Sequence, residues 1–346
     1  MVRNVSSRLL FTLFVFTAFT FRLALAKEVV TLPQLVNPQS FFIDIEGNRL
    51  IAVERVEILI YSLTDFKYQK RFGKAGEGPG EFRLSPAEGY NKIKVNLQAD
   101  AILVSSLGKL SIFSKEGNLK QELPIPPQIL ELKALGRGYV GWRSAFEEGV
   151  NYWLVNLYDA KVNKVKELFR MKNTYQRSEG LTILARTLLY ETSRNNVFIT
   201  SSEELKLDIF DSSGKYVSSI RQDYNRLKFT PAAREKCLDW FKVEHAQIYQ
   251  RLRYHIHFPR YFPSMRALTI SDRIYIITYD QEGEKSGCLI FDKTGKFQAR
   301  KFLPLKFIDI RTFYPYVIHG DKLYQLIDDP GTGKWALHLT DIDQVE

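Results

Sequence analysis

Cysteine is nearly absent from this 346-residue chain, which carries only Cys237 and Cys288. That scarcity excludes a disulfide-stapled small scaffold, and their spacing fits no metal or redox motif built on close cysteines. An exported chain could pair the two; two separate buried thiols are the favoured expectation. No low-complexity stretch occurs, and neither a Gly-x-Ser-x-Gly nor a His-Glu-x-x-His string is present. Beyond residue 26 no run is apolar enough to cross a bilayer as a helix. Acidic residues are outnumbered, 39 against 49 basic ones, for a formal charge of +10. Such an excess favours anionic partners through long-range steering and does not bear on fold. Aromatics, by contrast, are plentiful, with 24 Phe and 18 Tyr.

The long apolar run is N-terminal. Arg3 and Arg8 precede Leu9 to Phe21, and Ala24-Leu25-Ala26 follows as a small-x-small cleavage pattern. Residues 1–26 therefore read as a signal peptide and 27–346 as an exported chain, periplasmic or secreted. Arg22 is irregular for such a segment and leaves an uncleaved anchor as the alternative. No Cys follows the run, so no lipid anchor is expected. Setting aside Arg3, Arg8 and Arg22 leaves +7 on the mature chain.

One string recurs. Ile209-Phe210-Asp211-Ser212-Ser213-Gly214-Lys215 is nearly repeated at Ile290-Phe291-Asp292-Lys293-Thr294-Gly295-Lys296, and Ile112-Phe113-Ser114-Lys115-Glu116-Gly117-Asn118 is a third copy. Each reads as a strand end, a turn in which Asp or Ser bonds locally and Gly takes positive φ, then a new strand. Weaker copies begin at Ile60, Leu157 and His338, so the starts are 52, 45, 52, 81 and 48 residues apart. All but one interval suit a four-stranded propeller blade. The expected fold is all-β: a six-bladed β-propeller, with the run Glu28 to Leu32 pairing into the last blade to close the ring. The long interval holds an insertion, about residues 222–264, between blades four and five. There Thr230 caps Pro231, and Cys237, Trp240, Phe241, Ile248 and Leu252 share one helical face until Pro259.

Phe72-Gly73-Lys74-Ala75-Gly76-Glu77-Gly78-Pro79-Gly80-Glu81-Phe82 with Pro86, followed by the Ile-Phe-Asp-x-x-Gly-Lys turns, resembles the bacterial six-bladed propellers of the NHL-repeat and TolB-like group. The resemblance covers essentially the whole mature chain, although the later blades lack a second glycine loop. It implies a propeller fold and an exported binding role.

Candidate sites fall on the face that carries the inter-blade loops, since long loops on rigid scaffolds are where binding concentrates. The glycine loop lacks the following helix and Lys-Ser or Lys-Thr of a phosphate cradle, so it reads as an inter-blade turn. His255 and His257 flank Ile256 and share a side in an extended segment; with no third ligand in view they read as a surface pair, and no metal or cofactor is expected. From Arg221 to Arg266 there are ten Lys/Arg against four acids, interleaved with nine aromatics. Arginine among aromatics is a recognition composition, while aromatics packing a helix beneath a solvated basic face is the plainer reading. Arg251, Arg253, His255, His257, Arg260 and Tyr261, with Lys74, Glu81 and Arg83 on the same rim, are the candidate contacts. The expected function is non-enzymatic binding or scaffolding of a protein, peptide or anionic glycan by a monomer, without nucleic acid. The alternative is a hydrolase or lyase using polar residues around the central channel, for which no catalytic residue can be named. Glu147-Glu148 and Asp328-Asp329 read as solvated turns.

Overall fold

The computed structural model describes residues 28–32, 34–84 and 92–345. The expected signal peptide and Pro86 lie outside them. Among the described residues, six four-stranded antiparallel sheets follow one another in sequence. The first comprises Ser40–Asp44, Arg49–Glu54, Glu57–Ser62 and Tyr68–Phe72; the second Lys94–Leu97, Ile102–Ser106, Lys109–Phe113 and Leu119–Pro124. The third comprises Ile129–Leu135, Gly138–Glu147, Val150–Tyr158 and Lys164–Lys172; the fourth Leu189–Ser193, Asn196–Thr200, Lys206–Asp211 and Tyr216–Arg221. The fifth comprises Ala267–Ile270, Ile274–Glu282, Lys285–Phe291 and Phe297–Leu303. The sixth takes Tyr316–His319, Lys322–Asp329 and Lys334–Asp341 from the end of the chain and Glu28–Thr31 from its start, which pairs antiparallel with Lys334–Asp341.

Apolar packing links these sheets in series. Second strands such as Ile102–Ser106 are buried along their length, whereas fourth strands such as Tyr68–Phe72 are exposed; in the third sheet Gly138–Glu147 is mostly half-buried. Buried clusters join first to second sheet (Ile51, Val53, Val95, Val104), second to third (Leu103, Leu110, Leu132), third to fourth (Val155, Tyr190, Val197), fourth to fifth (Leu207, Leu268, Ile276) and fifth to sixth (Ile290, Ile318, Leu323). A further cluster packs Leu50 and Leu59 of the first sheet against Leu326 and Leu337 of the sixth, so the series returns on itself. Cys237 and Cys288 are unpaired and buried in different clusters.

The recurrent turn joins third to fourth strands. In the fourth sheet Asp211 Oδ1 accepts from Ser213 N at 2.8 Å and Lys215 N at 3.0 Å, and Gly214 has φ +76°. Asp292 repeats this with Thr294 N at 2.9 Å and Lys296 N at 3.0 Å. In five sheets the strand before the turn shifts register at the same place, among them Ile209/Phe210, Ile290/Phe291 and Ile112/Phe113. The motif is a β-bulge coupled to a tight turn.

Three local expectations are corrected. The sequence reads as a strand from Ile183 to Tyr190, but the first strand of the fourth sheet begins at Leu189, because Ile183 and Leu184 are drawn into the core of the insertion. The β-rich run Phe307 to Ile318 reads as one strand, but residues 307–315 are a loop with a single bridge, Phe307 to Phe313, and the strand starts at Tyr316. The expected single helix is two, α1 (Pro231–Glu244) and α2 (Ala246–Leu252), broken at His245. Thr230 caps α1 as expected, its hydroxyl accepting from Ala233 N at 3.2 Å. No described helix is long and apolar enough to cross a membrane.

Candidate functional site

The insertion is fastened by its own core. Phe229, Cys237 and Phe241 bury with Ile183 and Leu184 of one loop, and Ile310 of another packs against them. Phe229 lies between Phe258 and Phe262, with ring centroids 5.5 and 4.4 Å away. Arg311 places its guanidinium 4.8 Å from the Trp240 ring. Most of the interleaved aromatics are therefore spent on packing, because a segment of this size can hold its shape only by burying apolar area. Ile256–His257 adds a strand parallel to Gly180–Thr182, with Leu181 N donating to the His255 carbonyl at 2.9 Å and Ile183 N to that of His257 at 3.0 Å. His255 and His257 thus hold the insertion to its neighbour through backbone, and no cluster of three metal-ligating side chains forms among the described residues.

The basic side chains point outward. Arg251, Arg253, His255, His257 and Arg260 are exposed, and no carboxylate pairs with Arg251, Arg253 or Arg260 among the described residues. Arg253 lies 4.8 Å from the ring of Tyr254, which is 80% exposed and which sequence reasoning passed over. Arg260 and Arg226 flank Tyr261 at 5.3 and 5.7 Å. Arg226 also donates to the Phe262 carbonyl at 2.9 Å, so it secures the neck of the insertion. A cleft of ≈ 490 Å³ opens at that neck, lined by Lys206, Arg221, Asp223, Tyr224 and Arg226 among others. Exposed arginine over tyrosine presents a charge and a flat apolar surface together, which suits carboxylate, sulfate or phosphate groups on an extended partner.

The glycine-loop candidates do different work. Lys74 Nζ sits 2.8 Å from Glu81 Oε1, and Glu81 also accepts from Gly78 N at 2.9 Å. The hydrogen bond from Lys74 holds the Glu81 carboxyl below its ordinary range, with Gly78 N adding to it. Arg83 pairs with Glu77 at 2.8 Å. These residues brace the loop internally, and no hydrogen bond, ion pair or ring contact joins them to the insertion among the described residues. Arg253 with Tyr254, and Arg260 with Tyr261 and Arg226, thus stand on the insertion, whereas Lys74, Glu81 and Arg83 belong to the glycine loop and pair within it.

No protein-family model matches the chain, and no curated protein matches it. Among solved structures, a Bacteroides fragilis protein provisionally assigned as exported aligns over 92% of this chain and 95% of its own, with 12% identity and a TM-score of 0.57. With the sheet order described above, it places the chain among β-propellers by fold. A luciferin-regenerating enzyme (TM-score 0.45, 12% identity, 92% and 97% coverage) and the β-propeller domain of Cps50 (Swd1) from Myceliophteria thermophila (0.40, 10%, 91% and 99%) are more distant. Their likeness carries no functional argument.

Proposed function

We propose that the protein is an exported binding propeller: six blades of the NHL-repeat and TolB-like kind, closed by its N-terminal strand, with a helical insertion between blades four and five that engages a protein, peptide or anionic glycan. The observation that carries the reading is the exposed trio Arg251, Arg253 and Arg260, none opposed by a carboxylate among the described residues, on a segment whose aromatics already form its own core. Unpaired surface arginine is cheap to keep solvated and gains most when an anionic group desolvates it. The cleft at the neck of the insertion lengthens the available surface toward the blade edge.

The test is charge reversal at all three positions, Arg251→Glu, Arg253→Glu and Arg260→Glu together, with binding to immobilised heparin and to a poly-glutamate peptide measured beside the melting temperature. Capture of at least one probe by the native protein, weakened tenfold or more in the variant at unchanged Tm, is the expected result. Equal capture by both proteins, or by neither, overturns the reading.

A further inference from the structure

The insertion follows the outer strand of the fourth sheet, so the recurrent turns, which open the outer strands, lie at the other end of the antiparallel sheets. At that end two junctions between sheets differ. Between the first and second sheets Lys115, in the string Ile112-Phe113-Ser114-Lys115, reaches back to Asp44, the last residue of the innermost strand of the first sheet. The two pair at 2.7 Å with both side chains largely withdrawn from solvent. Between the third and fourth sheets neither member is present. Ser212 stands in the place of Lys115, and Leu135, the last residue of Ile129–Leu135, in the place of Asp44. Ser212 extends only to Gly136, where an added Cβ would stand 2.8 Å from the serine Cβ. A cleft of ≈ 420 Å³ opens at this junction.

Most of the lining is apolar. Leu135, Leu157 and Tyr158 contribute from buried positions, and Ala160 and Val165 from exposed ones, Val165 with 60% of its surface in solvent. Two polar side chains of the lining are committed to their own turns. Asp159 accepts from Lys161 N and Asn163 N at 2.8 Å each and from the Asn163 amide at 3.0 Å, and the Ser213 hydroxyl donates to Asp211 at 2.6 Å. Arg137, by contrast, lines the cleft from an exposed position and makes no ion pair, hydrogen bond or ring contact among the described residues. The Ser212 hydroxyl likewise makes no hydrogen bond among them. One cation and one hydroxyl thus stand uncommitted beside an apolar surface that is partly in water.

We propose that this cleft binds an aliphatic monocarboxylate, its carboxylate on Arg137 and the Ser212 hydroxyl and its chain against Leu135, Leu157, Ala160 and Val165. The ligand gives Arg137 the counter-ion that Lys115 finds in Asp44, and a guanidinium meets a carboxylate through two parallel N–H donors. The chain removes from water the apolar surface that Val165 and Ala160 leave open. The cleft volume lies within the range of about 300–1,000 Å³ usual for small-molecule sites. A single carboxylate is the charge that fits, because a second anion on the ligand would find no further cation in the lining and would face Asp159. The site stands apart from the insertion and does not depend on how the insertion binds.

The test titrates the purified protein by calorimetry with acetate, hexanoate, octanoate and decanoate, using octan-1-ol as the chain without the charge. Affinity should rise about two- to fourfold for each added CH2 along the series. Octanoate should bind about tenfold or more tightly than octan-1-ol, the worth of a charged hydrogen bond. Arg137→Gln should weaken octanoate by that same factor and leave octan-1-ol unchanged, and Val165→Ser should weaken octanoate severalfold. Both positions are exposed, so neither variant should lower Tm. Reversing Arg251, Arg253 and Arg260 should leave every titration unchanged, so this site and the insertion are read separately. Acetate binding as tightly as decanoate, octanoate affinity unchanged in either variant, or no binding of decanoate at millimolar concentration overturns the proposal.

Discussion

At Gly295 the backbone has φ +90°, and a Cβ would stand 2.5 Å from Ile220 Cγ1 on the outer strand of the preceding sheet. Gly214 repeats the arrangement against Leu168 of the third sheet, and Gly117 against the Phe72 ring of the first. The glycine thus meets two requirements at once, a left-handed turn and room for the neighbouring blade. Gly295→Ala should cost on the order of 1–3 kcal/mol from conformation alone, and more from the clash. In an Ile220→Ala background, which removes Cγ1, the penalty should shrink toward the conformational part; equal penalties in both backgrounds, read from denaturant midpoints, would contradict the account. The first requirement was legible because Asp, Ser and Gly announce a turn by type. The second was not, because it depends on an outer strand some 75 residues earlier in the sequence. The third sheet shows the limit of the motif: Val162 occupies a left-handed position at φ +64°, held by Asp159 accepting from Lys161 N and Asn163 N at 2.8 Å each. Its weak sequence match reflects a turn made by strain rather than by glycine.

The insertion leaves its sheet and returns through a narrow neck. Lys228 and Tyr261 form an antiparallel bridge, with Phe229 N donating to the Arg260 carbonyl at 3.0 Å and Phe262 N to that of Leu227 at 2.9 Å. Chain ends this close can be rejoined with little entropy, since closing a loop of a few residues costs less than ordering thirty. Replacing residues 229–260 by Gly-Ser-Gly should therefore leave the β-sheet circular dichroism and a cooperative melt. Stability should fall by about 3–6 kcal/mol, because Ile183 and Leu184 lose their cover. Loss of the β spectrum would show that the insertion is part of the propeller's folding core. The 81-residue interval, Thr230 and Pro231 made this element legible. The break at His245 was not, because it follows the packing of that ring 4.7 Å from Trp240 and 5.2 Å from Phe241. The displaced start of the fourth sheet was hidden for the same reason: Ile183 reads as a strand residue until a distant helix claims it. Lys133 lay in plain view inside an expected strand, but its partner Glu191 arrives from another sheet at a spacing no motif encodes.

For the molecule as a whole, the decisive pairing joins its two ends. Val29 faces His338 and Val30 faces Leu337 across an antiparallel ladder, Leu32 N donates to the Trp335 carbonyl at 2.8 Å, and the Trp335 indole donates to the Val36 carbonyl at 2.8 Å. Leu32 is fully buried and Leu35 nearly so, between the first and sixth sheets. Burying each is worth roughly 2 kcal/mol, and the ladder caps what would otherwise be an open strand edge. Contacts some 300 residues apart in sequence form only after long loops close, so this pairing should be among the last made in folding and the first lost in unfolding. A chain starting at residue 36 should melt about 4 kcal/mol less stably and associate through the bared edge of Lys334–Asp341. Adding a peptide of residues 27–36 should restore the monomer on light scattering and raise the melting temperature in proportion to the logarithm of its concentration. A truncated chain that stays monomeric at the original Tm would show that the apolar clusters between sheets hold the ring without its closing strand.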